Sequence, residues 1–181
     1  TLSTRAAASA AALFMKGNPM PIPNVEQPDI LSVSDILRLR KFDDDFDFAF
    51  GWYQDEELVY LVDGVRRPYS RETLSNMYHY LDKHGELYFI EVLEERWKPV
   101  GDVCFWKEDM PIVIGDPTYR GKGIGSQVIA ALIGRGRELG YDRLVVNEIY
   151  EYNFASRKCF ENAGFRILEK TEKGNRFYMD L

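Results

Sequence analysis

With 181 residues, 45% of them hydrophobic, the chain can bury one sizeable core, and its length gives no reason to invoke a second folded domain. Its 29 acids against 23 bases leave a net charge of -6, which argues against a general nucleic-acid or anionic-membrane surface and suits a cationic partner. No apolar run approaches the roughly 20 residues of a membrane span. Cys104 and Cys159 have neither metal-ligand spacing nor a disulfide framework, so no metal site is expected and the expected compartment is a reducing one, the cytoplasm.

Leu2 to Phe14 is rich in Ala and Ser, carries Arg5 and has no acid, as a short targeting segment would. Its apolar portion is small, however, and Met15 or Met20 would make natural starts, so it reads as an added leader. Asn18 to Pro28 is a Pro-rich linker in which Pro19, Pro21, Pro23 and Pro28 prevent regular helix. Leader and linker thus take residues 1–28, and one domain takes 29–181. Ile36 to Lys41 alternates apolar and basic residues like a first strand, followed by short aromatic-rich helical pieces over Phe46 to Tyr53 and Glu56 to Val62, closed by Asp63-Gly64. Ser70 can cap a helix that carries Leu74, Met77, Tyr78 and Leu81 on one face and stops at Gly85.

Leu87 to Leu93 and Val100 to Trp106 read as an antiparallel hairpin around Arg96 to Pro99, and Met110 to Gly115 as the next strand. A helical face follows in Ile124, Val128, Ile129, Leu132, Ile133 and Leu139, interrupted by Gly134 and Gly136, each costing about 1 kcal/mol relative to Ala. Leu144 to Asn147 is a buried strand, Asn153 to Ala163 a helix ended by Gly164, and Phe165 to Thr171 with Arg176 to Leu181 a hairpin across Lys173-Gly174-Asn175. The order is mixed α/β.

Between Ile114 and the helix, Asp116 to Gly125 reads as strand, glycine turn, helix start, which is an anion cradle. Glycines let successive N–H groups converge, the helix start adds its free donors and positive dipole end, and Arg120 and Lys122 add full charges. The spacing excludes a P-loop, which needs four residues between its glycines and a following Lys and hydroxyl. It is also one residue off the dinucleotide fingerprint, and too little chain follows for a doubly wound sheet.

Arg120-Gly121-Lys122-Gly123-Ile124-Gly125 resembles the [QR]-x-x-G-x-[GA] signature of the GNAT acetyltransferase superfamily. Asn153-Phe154-Ala155-Ser156, followed by Phe160-Glu161-Asn162-Ala163-Gly164-Phe165, resembles its second block. The resemblance runs from about Leu37 to the C-terminus and is nearest in tone to the aminoglycoside 6'-N-acetyltransferase and related small-amine branch. It implies a mostly antiparallel sheet with flanking helices in which Met110 to Gly115 and Leu144 to Asn147 run parallel and splay apart. It also implies acetyl-CoA as cofactor. Its pantetheine arm would pair with the backbone of Ile114 and Gly115, its pyrophosphate would lie on Arg120, Gly121, Lys122, Gly123, Ile124 and Gly125, and Asn153 would reach the same arm. Asn153 equally fits a plain helix cap.

The implied reaction is attack of an amine on the thioester. It needs the amine to lose a proton and a backbone N–H to stabilise the developing oxyanion. Of the acids near the splay, Glu108, Asp109, Asp116 and Glu148, the two at the ends of the central strands, Asp116 and Glu148, are the catalytic candidates; solvated strand-end acids are the plainer alternative. Many members of the family carry Tyr where this chain has Phe160, and Phe cannot protonate the leaving thiolate, which leaves Tyr150 or Tyr152 to do so or the thiolate to depart unprotonated. Cys159 reads as a small apolar helix residue. The acidic, aromatic stretch over Asp43 to Tyr60 would roof the acceptor side and suit a small cationic amine. A peptide or protein amine, a non-catalytic acyl-CoA-binding module, and assembly as a homodimer all stay open.

Overall fold

The computed structural model describes residues 20–181. The leader expected over residues 1–14 lies outside them. The end of the Pro-rich segment, expected as a linker, is packed onto the domain instead: Ile22 and Gln27 are buried, and Gln27 Nε2 donates to Leu87 O (2.9 Å). Proline forbids helix there without forbidding burial.

Among the described residues the chain forms β1 (Ile30–Ser34), β2 (Leu37–Lys41), a 3-10 helix (Asp47–Gln54), α1 (Glu56–Asp63), α2 (Arg71–His84), β3 (Glu86–Leu93) and β4 (Trp97–Phe105). There follow β5 (Ile112–Ile114), a 3-10 turn (Pro117–Tyr119), α3 (Ile124–Glu138), β6 (Arg143–Tyr150), α4 (Phe154–Asn162), β7 (Arg166–Lys170) and β8 (Gly174–Asp180). Strands β1 to β5 pair antiparallel in chain order, and β6, β8 and β7 form a second antiparallel sheet in that order.

Alternation along the strands divides two cores. Leu87, Phe89, Cys104 and Val113 meet α1 and α2 through Leu58, Val59, Leu74, Met77 and Tyr78. Tyr88, Ile90 and Val103, with Leu144 and Val146 from the second sheet, meet Val128, Ile129 and Leu132 of α3 and Phe160 of α4. The two interrupting glycines separate here. A Cβ on Gly136 would come within 3.0 Å of Leu181 and 3.2 Å of Leu144, so its absence lets α3 press on β6, whereas nothing lies near Gly134 and the structure gives no reason for it.

Three expectations shift. Strand β1 was not foreseen: only Leu31 and Val33 of its five residues meet the core, too short an alternation to stand out. The hairpin turns at Glu94 to Arg96 rather than Arg96 to Pro99, because Trp97, Lys98 and Pro99 already pair with Leu93, Val92 and Glu91, and the register shift at Ile90/Glu91 leaves Val100, next to Pro99, as the extra residue. The C-terminal hairpin likewise turns before Gly174, which already belongs to β8. No helix among the described residues is long and apolar enough to cross a membrane.

Candidate active site

The site begins with a defect in the ladder between β4 and β5. Cys104 N–H bonds Pro111 O (3.0 Å), which makes Val103·Ile112 a pair without mutual backbone bonds, as is Gly101·Ile114 two residues on. In a regular ladder the Gly115 N–H would then reach Val100 O; the Asp116 N–H takes it instead (3.0 Å), so Gly115 is bulged out. Trp52 lies against it, and a Cβ at Gly115 would stand 2.3 Å from the indole. The amides and carbonyls of Ile112 and Ile114 therefore face away from β4, toward β6.

No backbone ladder joins β5 to β6. Their approach is fixed just upstream, where Val145 N–H donates to Lys107 O and Asn147 N–H to Asp109 Oδ1 (3.0 Å each), and from there they part. Asp109 thus pins the opening. It had been one of four acids near the splay; no local pattern marks an acid that accepts an amide from a strand 38 residues away.

Beyond β5 the chain turns through Gly121 and Gly123 at φ 73° and 78°, the left-handed region, into α3. Because Gly123 is the cap residue, no side chain satisfies the first N–H groups of the helix, and they remain available to an anion. Over this turn lies a cleft of about 440 Å³, bounded by Ile114, Arg120, Gly121, Gly123, Ile124 and Gly125 on one side and by Asn153 and α4 on the other. Its size and donors fit the pantetheine and diphosphate of coenzyme A. Lys122 is outside the lining, its Nζ 5.1 Å from the Tyr119 ring centre.

Arg120 sits differently from a free charge at the mouth of the turn. Its Nε donates to Ile114 O (2.9 Å), one terminal nitrogen to Gly115 O (3.0 Å) and the other to Asp55 Oδ2 (3.1 Å), tying the strand end to the cap of α1. Asn153 combines two tasks: Oδ1 caps α4 by accepting from Ser156 N–H (3.1 Å), and Nδ2 donates to Leu61 O (3.2 Å) across the cleft.

The two acids proposed from sequence part company. Glu148 lines a narrow hollow of about 80 Å³ between β5 and β6, together with Ile112, Asn147, Tyr150 and Phe160, and its Oε1 accepts from Thr171 Oγ1 (2.6 Å). Asp116 lines none of the hollows described. It caps the 3-10 turn through Thr118 N–H (2.9 Å) and Oγ1 (2.7 Å) and pairs with Lys98 (3.1 Å). Burial pushes its carboxyl up, but these bonds and the Lys98 charge together hold it below the usual carboxylate range.

The tyrosines also divide. Tyr150 is buried at the wall of the hollow beside Phe160. Tyr152 stacks on Tyr60 at 4.3 Å and donates to Tyr60 O (3.0 Å), and burial first, then its tyrosine and acidic neighbours, push its phenol well above the usual range. Cys159 Sγ lies 3.2 Å from Ser126 Oγ, between α4 and α3.

Most acids of the Asp43 to Glu57 stretch are engaged within the fold: Asp43 pairs with Arg40, Asp44 with His79, Asp47 with Arg71, Glu57 with Arg66 and Asp55 with Arg120, while Tyr53 is fully buried and donates to Asp102. What α1 offers the cleft is apolar, Leu58, Leu61 and Val62. A third hollow of about 210 Å³, lined by Tyr80, Trp106, Glu108, Asp109, Pro111 and Asn147, shares Asp109, Pro111 and Asn147 with the narrow one. The narrow one in turn shares Leu61, Val62, Ile112, Asn153 and Ser156 with the cleft, so a single trench runs past the splay. Its charge is polarised. Among the described residues, Arg120 and Lys158 are the only charged ones lining the cleft, and Glu108, Asp109 and Glu148 the only ones lining the two hollows beyond.

Residues 26–165 match the model of the acetyltransferase (GNAT) family, so the chain belongs to that family. It is an acyltransferase that uses acetyl-CoA. The fold is shared with an acetyltransferase of this family from Bacillus anthracis (TM-score 0.66, 18% identity, covering 82% of this chain and 95% of that one). It is shared equally with the Salmonella typhimurium acetyl transferase that modifies the N-terminal serine of ribosomal protein L7/L12 (0.62, 20%, 84% and 99%). A third relative in fold is the microcin C7 self-immunity acetyltransferase, solved with acetyl-CoA and AMP (0.67, 16%, 85% and 97%).

Proposed function

We propose that this acetyltransferase acts on a primary amine of a small cationic acceptor, an aminoglycoside-like compound or another small polyamine, rather than on a protein. The observation that carries this reading is the polarity of the trench: cations line the end that fits an anionic cofactor, and carboxylates line the end left for the acceptor. A cationic amine would be drawn to that end and oriented by it.

When bound, acetyl-CoA supplies the thioester. The backbone of Ile112, Ile114 and the bulged Gly115 would hold its pantetheine, the turn from Arg120 to Gly125 its diphosphate, with Arg120 keeping the strand end in place and Asn153 keeping α1 and α4 apart at the cleft's width. An amine arriving from the acidic end would give up its proton to Glu148. An N–H of Ile112 or Ile114, facing the gap, would bear the charge that develops on the acetyl oxygen. Tyr150, whose ring borders the same hollow, would return a proton to the departing sulfur. Asp116 then serves as a cap and ion-pair partner rather than as a base.

The test is thiol release from acetyl-CoA with aminoglycosides, polyamines and peptides in parallel, with mass analysis of each product. Preferential acetylation of peptides would replace the small-amine reading with a protein-directed one, and acetyl-CoA binding without turnover would make the protein a binding module.

A further inference from the structure

The far end of the trench is built on a tight turn. Trp106 N–H bonds Asp109 O (3.2 Å) and Asp109 N–H bonds Trp106 O (3.3 Å), leaving Lys107 and Glu108 at the tip. Lys107 Nζ lies 3.1 Å from Asp142 and 5.9 Å from the Tyr141 ring centre. Glu108 lines the third hollow, near enough to Tyr141 that its charge, after burial, pushes that phenol up. Glu108 makes no hydrogen bond or ion pair among the described residues.

The other charged and titratable groups around this hollow are already engaged. Asp109 accepts from the Met110 and Asn147 amides. Arg176, which donates to Asn147 O and Oδ1, pairs with Glu169. His84 stacks on Tyr80 (4.0 Å), and its Nδ1 lies 2.7 Å from Tyr80 O. Two aromatic side chains, Tyr80 and Trp106, thus wall a space whose uncommitted charge is the Glu108 carboxylate. Aromatic faces beside a carboxylate are the combination that holds an organic ammonium.

We infer that the third hollow seats a second, distal ammonium group of the acceptor, with Glu108 as its counter-charge, so that the enzyme selects diamines and polyamines over monoamines. This rests on the amine-acetylation reading above and extends it from the reacting nitrogen to the group that fixes the other end of the substrate. Glu108 is here a specificity residue: it touches the acceptor away from the reacting atoms.

The experiment compares 1,4-diaminobutane with 1-aminobutane at saturating acetyl-CoA, using the full chain and Glu108→Gln. Expected is a kcat/KM for the diamine about tenfold or more above that of the monoamine, the scale of one charge-assisted contact, lost in Glu108→Gln through KM alone. The variant's KM for acetyl-CoA should stay as in the parent, and any fall in its kcat/KM for 1-aminobutane should be much smaller than the fall for the diamine. A diamine preference that survives Glu108→Gln, or no preference in the parent, overturns the inference while leaving amine acetylation standing. If neither amine is acetylated, the acetylation reading fails for these substrates. Calorimetry of diamine binding to the coenzyme A-loaded protein then decides the subsite by itself: affinity lowered about tenfold by Glu108→Gln supports it, and equal or absent binding overturns it.

Discussion

The Arg120 guanidinium closes on the carbonyl of Ile114, the last residue of β5, at 2.9 Å, and on that of Gly115 at 3.0 Å. The arginine of the glycine signature therefore acts first on the protein, holding the bulged strand end against the cap of α1 through Asp55, and would shape the cofactor's seat through that geometry. Its neighbours Gly121 and Gly123 and the uncapped start of α3 would, on the proposed reading, meet the phosphates with backbone donors.

Replacing Arg120 with Ala should accordingly do two things. Losing two carbonyl bonds and a half-exposed ion pair should lower stability by about 1–2 kcal/mol, and the loosened strand end should raise the dissociation constant of coenzyme A about tenfold. Arg120→Lys, which cannot fork across two carbonyls, should recover little of either. Thermal melts with calorimetric titration check both; weaker binding with unchanged melting would return Arg120 to a direct phosphate contact.

Much of this was legible in the sequence, and the reasons differ by element. The glycine turn, the Ser70-capped helix and the α3 face are local patterns, and local patterns survive folding. The roles of Arg120 and Asp109 depend on partners far along the chain: Arg120 reaches Asp55, and Asp109 reaches Asn147. Asp116 and Glu148 looked alike from sequence because both end a central strand. Only the direction of their side chains, one to Lys98 and Thr118 and the other to the hollow, distinguishes them. The Asp43 to Glu57 acids looked like a binding surface because their local partners Arg40, His79, Arg66 and Arg71 are not adjacent in sequence.

Gly115 gives a second prediction. A methyl group there would stand 2.3 Å from Trp52, so Gly115→Ala must displace the indole or the bulge. Stability should fall by about 1–3 kcal/mol, the usual cost of overpacking, and coenzyme A affinity should fall with it. Gly115→Ala combined with Trp52→Phe should regain part of the affinity. Calorimetry on the three forms decides, and unaltered affinity in Gly115→Ala would mean that the bulge does not shape the cleft.

The tyrosines give a third. Tyr150→Phe should lower kcat by about tenfold to a hundredfold, the low end of general acid catalysis, with little change in acetyl-CoA affinity. Tyr152→Phe should leave kcat alone and cost about 1 kcal/mol of stability, since its hydroxyl serves Tyr60 O. Phe160→Tyr adds a hydroxyl to the same wall and should restore rate in the Tyr150→Phe background. Equal kcat in all forms would show that the thiolate leaves unprotonated.

Acid should expose the role of Asp116. Burial alone would raise its carboxyl, but Thr118 and Lys98 hold it below its usual 3.8 in the folded state. The unfolded chain therefore takes up this proton more readily than the folded one. The stabilisation is complete above the unfolded value and is lost as pH falls through the lower, folded one. Asp116→Asn keeps a capping oxygen and loses the ion pair, so the drop in urea midpoint between pH 7 and pH 3 should be smaller in the variant than in the parent. Its kcat should stay close to that of the parent; a collapse of kcat at unchanged stability would make Asp116 a base after all.

Glu148 is the sharper case, because the same substitution separates base from bystander. Glu148 lines the hollow between β5 and β6 and its Oε1 accepts from Thr171 Oγ1, so Oε2 is the oxygen left for an incoming amine. Glu148→Gln preserves the shape and the Thr171 bond while removing the proton acceptor. The rate should fall about a hundredfold or more at neutral pH and recover partly as pH rises and more of the amine arrives already deprotonated. Thr171→Val is the control for position: it frees the carboxylate without removing it, and should cost a few-fold in kcat, in keeping with a lost orienting bond. Coenzyme A affinity should be unchanged in both, since neither residue borders the cleft over the glycine turn. A flat pH profile in Glu148→Gln with parental rates would show that the amine sheds its proton to water without help from this carboxylate.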